Sequence, residues 1–595
     1  MAVYSTTTLA HAAIRIGEEI APPVIFAAEE LHRYLGMLTG MSLPIVREPS
    51  LRSCNALVVG AQAGAPAPPP PQGYRVIAER ESIMLTAESP RLLLDAAYGL
   101  LEQLGCRWSL HGADEEVVPR LAGATLEVTP IERTPPFTLR GYCSDIMTWH
   151  YTQPEHFHDR LPDDRIFIDW MGKSGANSFF YIRHPFDSQL TIPELLPEFA
   201  RRGIDLEYGG HVMPLLLPRA LFGEHPEYFP ESPDGVRTED GNLCSSNAAA
   251  LATVSANAVQ YVRDYPEMRV LHIWGADLWH GGWCRCAACA PLSAQDQSLR
   301  ACNAVARGLA DAGMPRPICY LAYHDTLDAD LTLRPDPNVV AEFAPRERCY
   351  GHAMNDPECA TNRRYAAALE RYVELFEGRV RLFEYYGDAI LYFGCPVPMA
   401  QVIAADLAYY QQLGIRDILM LQFGAFSAWA YPLNFLTFAA ATTGAANRYA
   451  HYTTRYGAHA DAARAAFAEL EEIMRSVVTY GDIRRPPRTP EAAAVVLPQV
   501  TAALPRLATL AQRLATLGDD QLAALAGLIR YTCTVLEGAQ QDLQDTLAGR
   551  SPSGAERYAA ALEIIAAVDR RFKGLWGAVD LPIIHSFFTA AAHVE

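Results

Sequence analysis

The chain is predicted to be an α/β protein built around a central (β/α)₈ barrel. Between residues 137 and 429, short apolar runs alternate with stretches of helical periodicity. A span of this size suits eight strand–helix units, since such barrels average roughly 250 residues. A doubly wound sheet is the alternative, but no Gly-rich phosphate loop follows the first strand candidate. The eight strand candidates start at Phe137, Ala176, Asp205, Arg269, Ile318, Val339, Val380 and Ile415.

Residues 1–133 are predicted to form an N-terminal α/β accessory domain. Apolar residues recur at helical spacing in Pro22–Thr39, and Gly40 follows as a C-cap. A second helix is expected over Pro90–Leu104. Strands are expected over Ala56–Val59, Tyr74–Ala78 and Ser82–Ala87, the last two as a hairpin. Prolines near residue 134 indicate a linker, so the barrel is assigned to residues 134–430.

Residues 431–595 are Ala- and Leu-rich and are predicted to form an all-helical C-terminal domain. Residues 491–517 are also mostly helical, although Pro498 and Pro505 leave a break open. These helices either pack on the barrel or form a homodimer interface. The clearest helix candidates are Ala460–Val478, Asp520–Leu547 and Ala555–Leu575.

Net charge and composition limit the classes of binding partner and the location expected for this 595-residue chain. A net charge of −19 disfavours nucleic acid and anionic membranes as partners. No apolar run is expected to reach the roughly 18 residues that a membrane span needs. The start lacks the basic and apolar segments of a secretory signal, which favours a cytoplasmic protein. Its 13 scattered cysteines favour reduced thiols over a disulfide scaffold.

Two carboxylates follow strand candidates and are predicted to be catalytic. Asp277 comes just after the fourth strand, and Glu384 closes the seventh. The carboxyl ends of parallel barrel strands meet at one face, where active sites are built. A facing pair of acids is the minimum equipment for hydrolysing a glycosidic bond. Glu342 is the main rival for either role, and Asp325 is a weaker one.

Other residues near strand ends are candidates for binding a sugar. Trp279 and Trp283 lie beside Asp277 in sequence, where aromatic faces suit stacking on sugar C–H groups. Polar side chains can hydrogen-bond to hydroxyl groups. The substrate-binding candidates are Arg140, Asn177, His211, Tyr323, Tyr386, Asp388 and Trp429.

Cys284, Cys286 and Cys289 form a close cluster that suits a structural zinc ion. Cys244 or His280 is the candidate fourth ligand. A zinc here would pin the loop that carries Asp277, and no cofactor is expected for catalysis itself. Free buried thiols are the plainer interpretation, and a redox role of close thiols stays open.

Several segments together resemble a bacterial family first catalogued as a domain of unknown function and later named glycoside hydrolase family 163. The N-terminal part also resembles the accessory domain of α-glucuronidases and β-hexosaminidases. The resemblance spans about residues 20–430. The segments are Ala27–Leu35, Thr39–Gly40, Ala96–Trp108, Gly210–His211, His225–Phe229, Leu243–Asn247, Asp277 with the cysteine cluster, Cys349–Tyr350 and Glu384–Tyr386.

This resemblance implies a retaining β-N-acetylglucosaminidase acting on N-glycan-type chains, with Asp277 and Glu384 at matching positions of the barrel site. In the leading hypothesis Asp277 protonates the leaving oxygen, and Glu384 attacks the anomeric carbon or stabilises the oxocarbenium ion. A substrate acetamido group acting as nucleophile is an open alternative. A glycosidase for another sugar, such as a uronic acid, and a non-catalytic carbohydrate-binding barrel are further alternatives. Carboxyl groups about 5–5.5 Å apart would favour retention, and about 6.5–9.5 Å would favour inversion.

Overall fold

The predicted fold class is confirmed by a computed structural model of the chain. Eight parallel strands form a closed barrel, with an N-terminal α/β unit before it and helices after it. The structure describes residues 2–17, 21–48, 56–59, 68–80, 82–121, 123, 125–144, 161–182, 192–278, 281–422, 430–445, 451–481, 483 and 485–572.

The N-terminal unit is a mixed six-stranded sheet, of order β3-β2-β4-β6-β5-β8, with its own apolar core. Helices α2 and α3 pack together, and Leu31 and Leu94 are fully buried in that core. Helix α2 ends at Gly40, whose φ of 74° suits a residue without a side chain. The strands are β1 Ala2–Tyr4, β2 Ala13–Ile16, β3 Ile45–Arg47, β4 Ala56–Val59, β5 Tyr74–Ala78, β6 Ser82–Ala87, β7 Leu126–Val128 and β8 Ile131–Arg133. The helices are α1 Thr6–Leu9, α2 Pro22–Thr39 and α3 Pro90–Gln103.

All eight barrel strands begin within two residues of their predicted starts. They pair in sequence order, and the last closes on the first through a parallel ladder from Asp417–Leu139 to Gln422–Ser144. The strands are β9 Leu139–Ser144, β10 Ser178–Ile182, β11 Asp205–Gly210, β12 Met268–Ile273, β13 Ile318–Ala322, β14 Val339–Phe343, β15 Val380–Glu384 and β16 Asp417–Gln422. The helices among them are α4 Leu161–Ser174, α5 Ile192–Arg202, α6 Met213–Leu216, α7 Ala248–Asp264, α8 Ala294–Asp311, α9 Ala360–Leu375 and α10 Ala400–Gln412.

A charged layer fills part of the barrel interior. His272 places Nε2 2.7 Å from Glu207 and Nδ1 2.8 Å from Glu342, and Arg381 lies 2.9 Å from Glu207. Burial by itself raises the pKa of Glu207, but Arg381 and His272 lower it to about 2. Burial by itself lowers the pKa of His272, but Cys319, Glu342 and Glu207 outweigh it and raise that pKa well above its usual value. Two cations therefore balance two carboxylates, as burial of charge requires.

The C-terminal helices share one continuous core with the barrel. The composition-based boundary at 430 assigns Pro432–Thr443 to the C-terminal domain, whereas this helix follows β16 and packs against α4, β9 and α10 as the eighth barrel helix. The helix over 490–515 runs unbroken through Pro498 and Pro505. The helices are α11 Pro432–Thr443, α12 His451–Tyr456, α13 Ala460–Arg475, α14 Pro490–Ala515, α15 Asp520–Leu547 and α16 Ala555–Phe572.

Helices α14 and α15 are long and apolar enough to cross a membrane by length and composition alone. This finding differs from the expectation that no run is long enough. The two helices pack against each other, and α15 also packs against α16. The apolar window of α15 is 72% buried inside the protein, as in a core helix.

Candidate active site

Asp277 lies at the carboxyl-end mouth of the barrel, four residues after β12 ends. Its side chain is 60% exposed, and one carboxylate oxygen lies 4.0 Å from Nε2 of His211. The other ring nitrogen of His211, Nδ1, is 2.6 Å from the carbonyl of Gly275. A carbonyl only accepts, so Nδ1 carries a proton, and Nε2 carries one only in the imidazolium form. His211 Nε2 therefore faces Asp277 at more than hydrogen-bond distance, and the two side chains form an ion pair when the imidazole is protonated.

Glycines allow these two residues to approach. Gly209 has a φ of +117°, and a Cβ there would lie 2.1 Å from the carbonyl oxygen of His272. Only glycine fits this contact between β11 and β12, from which the chain turns into His211. At Gly275, a Cβ would meet Asn242 Oδ1 at 3.0 Å and the Trp283 ring at 3.1 Å. The Asn242 side chain also accepts a 2.6 Å hydrogen bond from the Ala276 N–H, which holds the Asp277 loop.

The segment after β13 forms the opposite wall of this small pocket. Tyr323, His324 and Asp325 all line the pocket, and the indole ring of Trp283 lines it as well. The rings of His211 and Tyr323 are 6.4 Å apart. His324 has a φ of +46°, which is uncommon for a residue other than glycine. Backbone strain of this kind concentrates at functional sites.

Charged groups that follow β14 and β15 lie beside the pocket. Arg346 Nε is 3.2 Å from Asp388, and its Nη1 is 3.3 Å from Glu347. Glu347 also lies 3.5 Å from Nδ1 of His324.

Burial raises the pKa of Glu347, with Arg346 opposing the shift. Burial also raises the pKa of Tyr323 well above its usual value; Arg346 opposes this shift, and Asp277, Glu347 and Asp388 add to it.

Glu384 does not face Asp277, so the predicted pairing across the pocket is wrong. Side chains alternate along a strand, and Phe383 points inward toward Trp274, 5.5 Å away between ring centroids. Glu384 therefore points outward, where it is fully buried and accepts a hydrogen bond from Tyr410 of α10.

Glu384 belongs to a closed cluster between β15 and α10. Arg348 lies 3.7 Å from Glu384 and also pairs with Asp406. Burial raises the pKa of Glu384 to about 7, with Arg348 opposing and Asp406 adding to the shift. Tyr386, a predicted sugar ligand, donates a 2.9 Å hydrogen bond to Asp406 in the same cluster. Its predicted place in the pocket is therefore also wrong.

Arg140 and Asn177 lie at the opposite end of the barrel, so their predicted sugar contacts are wrong as well. Arg140 is the second residue of β9 rather than the last. Its guanidinium donates to the carbonyls of Gly175 and Phe137 and pairs with Asp95 of α3. Asn177 precedes β10 and accepts from the Arg140 N–H at 2.8 Å. Both residues form hydrogen bonds near the amino ends of β9 and β10. Arg140 also connects this end of the barrel to the N-terminal unit through its ion pair with Asp95.

The remaining candidates divide between pocket and core. His211, Tyr323 and the weaker rival Asp325 lie with Asp277 around the pocket. Asp388 is buried beside Arg346, and its other oxygen accepts from the N–H groups of Ile390 and Leu391. The rival Glu342 lies inside the barrel, bonded to His272 and to the Trp274 indole N–H. Trp279, His280 and Trp429 lie outside the described residues.

The four cysteines predicted as metal ligands come together. Cys244, Cys284, Cys286 and Cys289 form a small buried cluster of their own. Their sulfur atoms all lie within 4.8 Å of one another. All four are free thiols in the structure.

His324, Arg346 and Glu347 are site residues that the sequence reasoning missed. Each lies two to four residues beyond the end of a barrel strand. The available signal was position: residues that follow a barrel strand, rather than those within it, reach the mouth.

Comparison with known proteins identifies the family of the chain. The sequence profile of DUF4838, described as a domain of unknown function, matches residues 113–467, which is more than half of the chain. The chain belongs to the DUF4838 family. No curated protein matches this DUF4838 chain significantly.

Solved glycoside hydrolases share the fold of this DUF4838 protein at low sequence identity. A GH138 enzyme targeting pectin rhamnogalacturonan II is 11% identical, with a TM-score of 0.58, over 96% of this chain and 74% of the other. A GH115 4-O-methyl-α-glucuronidase with specificity for decorated arabinogalactans is 14% identical, with a TM-score of 0.56, over 98% and 80%. The GH20 β-N-acetylhexosaminidase from Streptomyces coelicolor A3(2) is 14% identical, with a TM-score of 0.44, over 79% and 94%. At these identities the likeness to the GH138 and GH115 enzymes, with TM-scores above 0.5, establishes the fold of the DUF4838 chain and nothing beyond it.

Proposed function

We propose that the protein is a glycoside hydrolase in which Asp277 is the general acid. The observation that carries this proposal is the position of Asp277. It is an exposed carboxylate at the active-site face of a closed (β/α)₈ barrel, 4.0 Å from His211. Trp283 and Tyr323 provide aromatic surface beside it. Asp277 would protonate the glycosidic oxygen as the bond to the anomeric carbon breaks.

Glu347 replaces Glu384 as the second carboxylate of this proposal. Its side chain is 26% exposed and lies between Arg346 and His324. Asp388 is a poorer choice, since its side chain is 2% exposed and already accepts from Arg346 and two backbone N–H groups. Glu347 would either attack the anomeric carbon or orient an acetamido group that does so.

The charges near the pocket favour a neutral sugar over a uronic acid. Asp277, Glu347 and Asp388 all lie near enough to act on the Tyr323 phenol, as does the guanidinium of Arg346, which already pairs with Glu347 and Asp388. Asp325 also lines the pocket, so a uronate would add a fifth carboxylate to a region whose Arg346 is already paired. An N-acetyl-β-glucosaminide, the substrate that the family resemblance implies, carries no charge and suits this environment.

The test is a panel of aryl β-glycosides: N-acetylglucosaminide, galactoside and glucuronide. We expect turnover of the N-acetylglucosaminide and a fall of about 10²–10⁴-fold in Asp277→Asn, the usual worth of general acid catalysis. The loss should be much smaller with a dinitrophenyl leaving group, which departs without protonation. Asp234→Asn, an exposed carboxylate away from the pocket, serves as the control. Sugar binding without turnover by the unmodified protein would instead indicate a carbohydrate-binding barrel.

A further inference from the structure

The four-cysteine cluster has the dimensions of a tetrahedral metal site. A zinc–sulfur bond of about 2.3 Å places the sulfur atoms of a tetrahedral site about 3.8 Å apart. The Sγ atom of Cys244 lies 3.7 Å from that of Cys286 and 3.8 Å from that of Cys289. Cys284 completes the set, and all four residues are at least nine-tenths buried.

The surroundings of the cluster are suited to thiolates. The N–H of Glu231 points at Cys284 Sγ at 3.4 Å. Ser245 Oγ lies 3.6 Å from Cys289 Sγ, where its hydroxyl can donate to the sulfur. Four thiolates around Zn²⁺ carry a net charge of −2, so nearby donors are needed to stabilise the site.

A guanidinium supplies part of the balancing charge. Arg237 interacts electrostatically with both Cys244 and Cys284. It is held in place by the carbonyl of Phe229, at 2.5 Å, and by the carboxylate of Glu231, at 3.2 Å. A group of four thiols that merely filled an apolar core would not require a cation beside it.

We propose that Cys244, Cys284, Cys286 and Cys289 bind one structural zinc ion. Four cysteines leave no open coordination position, so the ion would not take part in hydrolysis. It would join two segments that are far apart in sequence: the chain before α7, which carries Cys244, and the loop between β12 and α8, which carries the other three.

The consequence is a fixed position for Asp277. The loop from 274 to 292 holds both Asp277 and the three cysteines, and only six residues separate Asp277 from Cys284. Protein contacts already tie this loop to the segment that carries Cys244 and to helix α8. The Asn242 N–H donates to the Gly282 carbonyl, and the Gln297 side chain bonds to both the N–H and the carbonyl of Cys284. A zinc ion would add a rigid joint next to these bonds.

The experiment measures metal rather than activity, so its outcome is independent of the proposed hydrolysis. The full chain, purified under reducing conditions without added metal, should contain one zinc per chain by elemental analysis. Replacement by Co²⁺ should produce the absorption bands of tetrahedral cobalt thiolate. Cys244→Ser and Cys289→Ser should each lose the metal.

A matched control comes from a second group in the same protein. Cys349, His352 and Cys359 also converge within 4.8 Å, so Cys359→Ser tests whether the ion belongs there instead. We expect this variant to keep the zinc and the cobalt spectrum. Hydrogen exchange of residues 274–292 should rise when a chelator removes the metal from the unmodified protein. Folded protein without zinc, iron in its place, or loss of zinc only in Cys359→Ser would each overturn the proposal.

Discussion

His211 bonds through Nδ1 to the Gly275 carbonyl and thereby aims Nε2 at the carboxylate of Asp277, 4.0 Å away. The glycine that accepts this bond lies two residues before Asp277, so one short loop fixes both partners. A histidine in this position can orient the acid by electrostatic attraction when it is protonated. It touches the reaction only through Asp277, which makes it a positioning residue.

His211→Phe tests this relationship, because phenylalanine keeps an aromatic ring and removes both nitrogens. We expect kcat to fall about 10–100-fold, the scale expected for a misplaced catalytic group. KM should stay within a few-fold of its value in the unmodified protein, because the surfaces that bind the sugar are retained. The acidic or basic limb of the pH profile of kcat should shift. A change confined to KM would show that His211 binds the sugar instead.

Glu347→Gln and Glu384→Gln form a pair that distinguishes the two candidate second carboxylates. Glu347 lies beside the pocket, whereas Glu384 is sealed between β15 and α10. We expect Glu347→Gln to lower kcat/KM by at least about 10²-fold, as loss of an essential catalytic group does. Glu384→Gln should retain activity within about tenfold. The reverse order in steady-state kinetics would restore Glu384 as the catalyst.

The raised pKa of Glu384 predicts a specific dependence of stability on pH. Because burial raises this pKa to about 7 from an ordinary 4.5, the unfolded chain loses the proton first. The stabilisation is therefore fully present below pH 4.5 and is lost as the pH rises through about 7. The loss should be on the order of 3 kcal/mol at 1.36 kcal/mol per pKa unit.

Urea unfolding from pH 4 to pH 8 measures this effect. The unmodified protein should lose stability across the window, and Glu384→Gln, which cannot ionise, should show a flatter curve. The Gln side chain can still accept the hydrogen bond from Tyr410. Parallel curves for the two proteins would mean that Glu384 is already ionised in the folded state.

The sequence was sufficient for the barrel because its strands are long apolar runs bounded by turn residues. Predicted and observed strand starts agree at Asp205 and Val380, where a glycine lies between the preceding helix and the strand. The site was harder to predict, because a shift of one residue along a strand turns a side chain to the other face. Glu384 and Tyr385 are neighbours, yet only the phenol of Tyr385 lies near Tyr323 and Arg346. The prediction for Arg140 was wrong for a different reason: a polar residue inside a strand can lie at either end of the barrel.

Glu207→Gln tests the charged layer inside the barrel. Its carboxylate accepts hydrogen bonds from His272 and Arg381, both buried. Removing one charge leaves two cations against one carboxylate, and breaking such a buried pair costs about 3–5 kcal/mol. The pKa of Glu207 is lowered to about 2, so its stabilisation is present above pH 4.5 and is lost as the pH falls toward 2.

The free energy of unfolding, measured in urea, should therefore drop at pH 7 in Glu207→Gln, and the difference from the unmodified protein should shrink toward pH 2. Glu472→Gln is the matched control, since Glu472 forms an exposed pair with Arg506. Exposed pairs are worth at most about 1 kcal/mol, because water and salt screen them. Equal losses in the two variants would show that the interior layer is solvated and contributes no more than a surface ion pair.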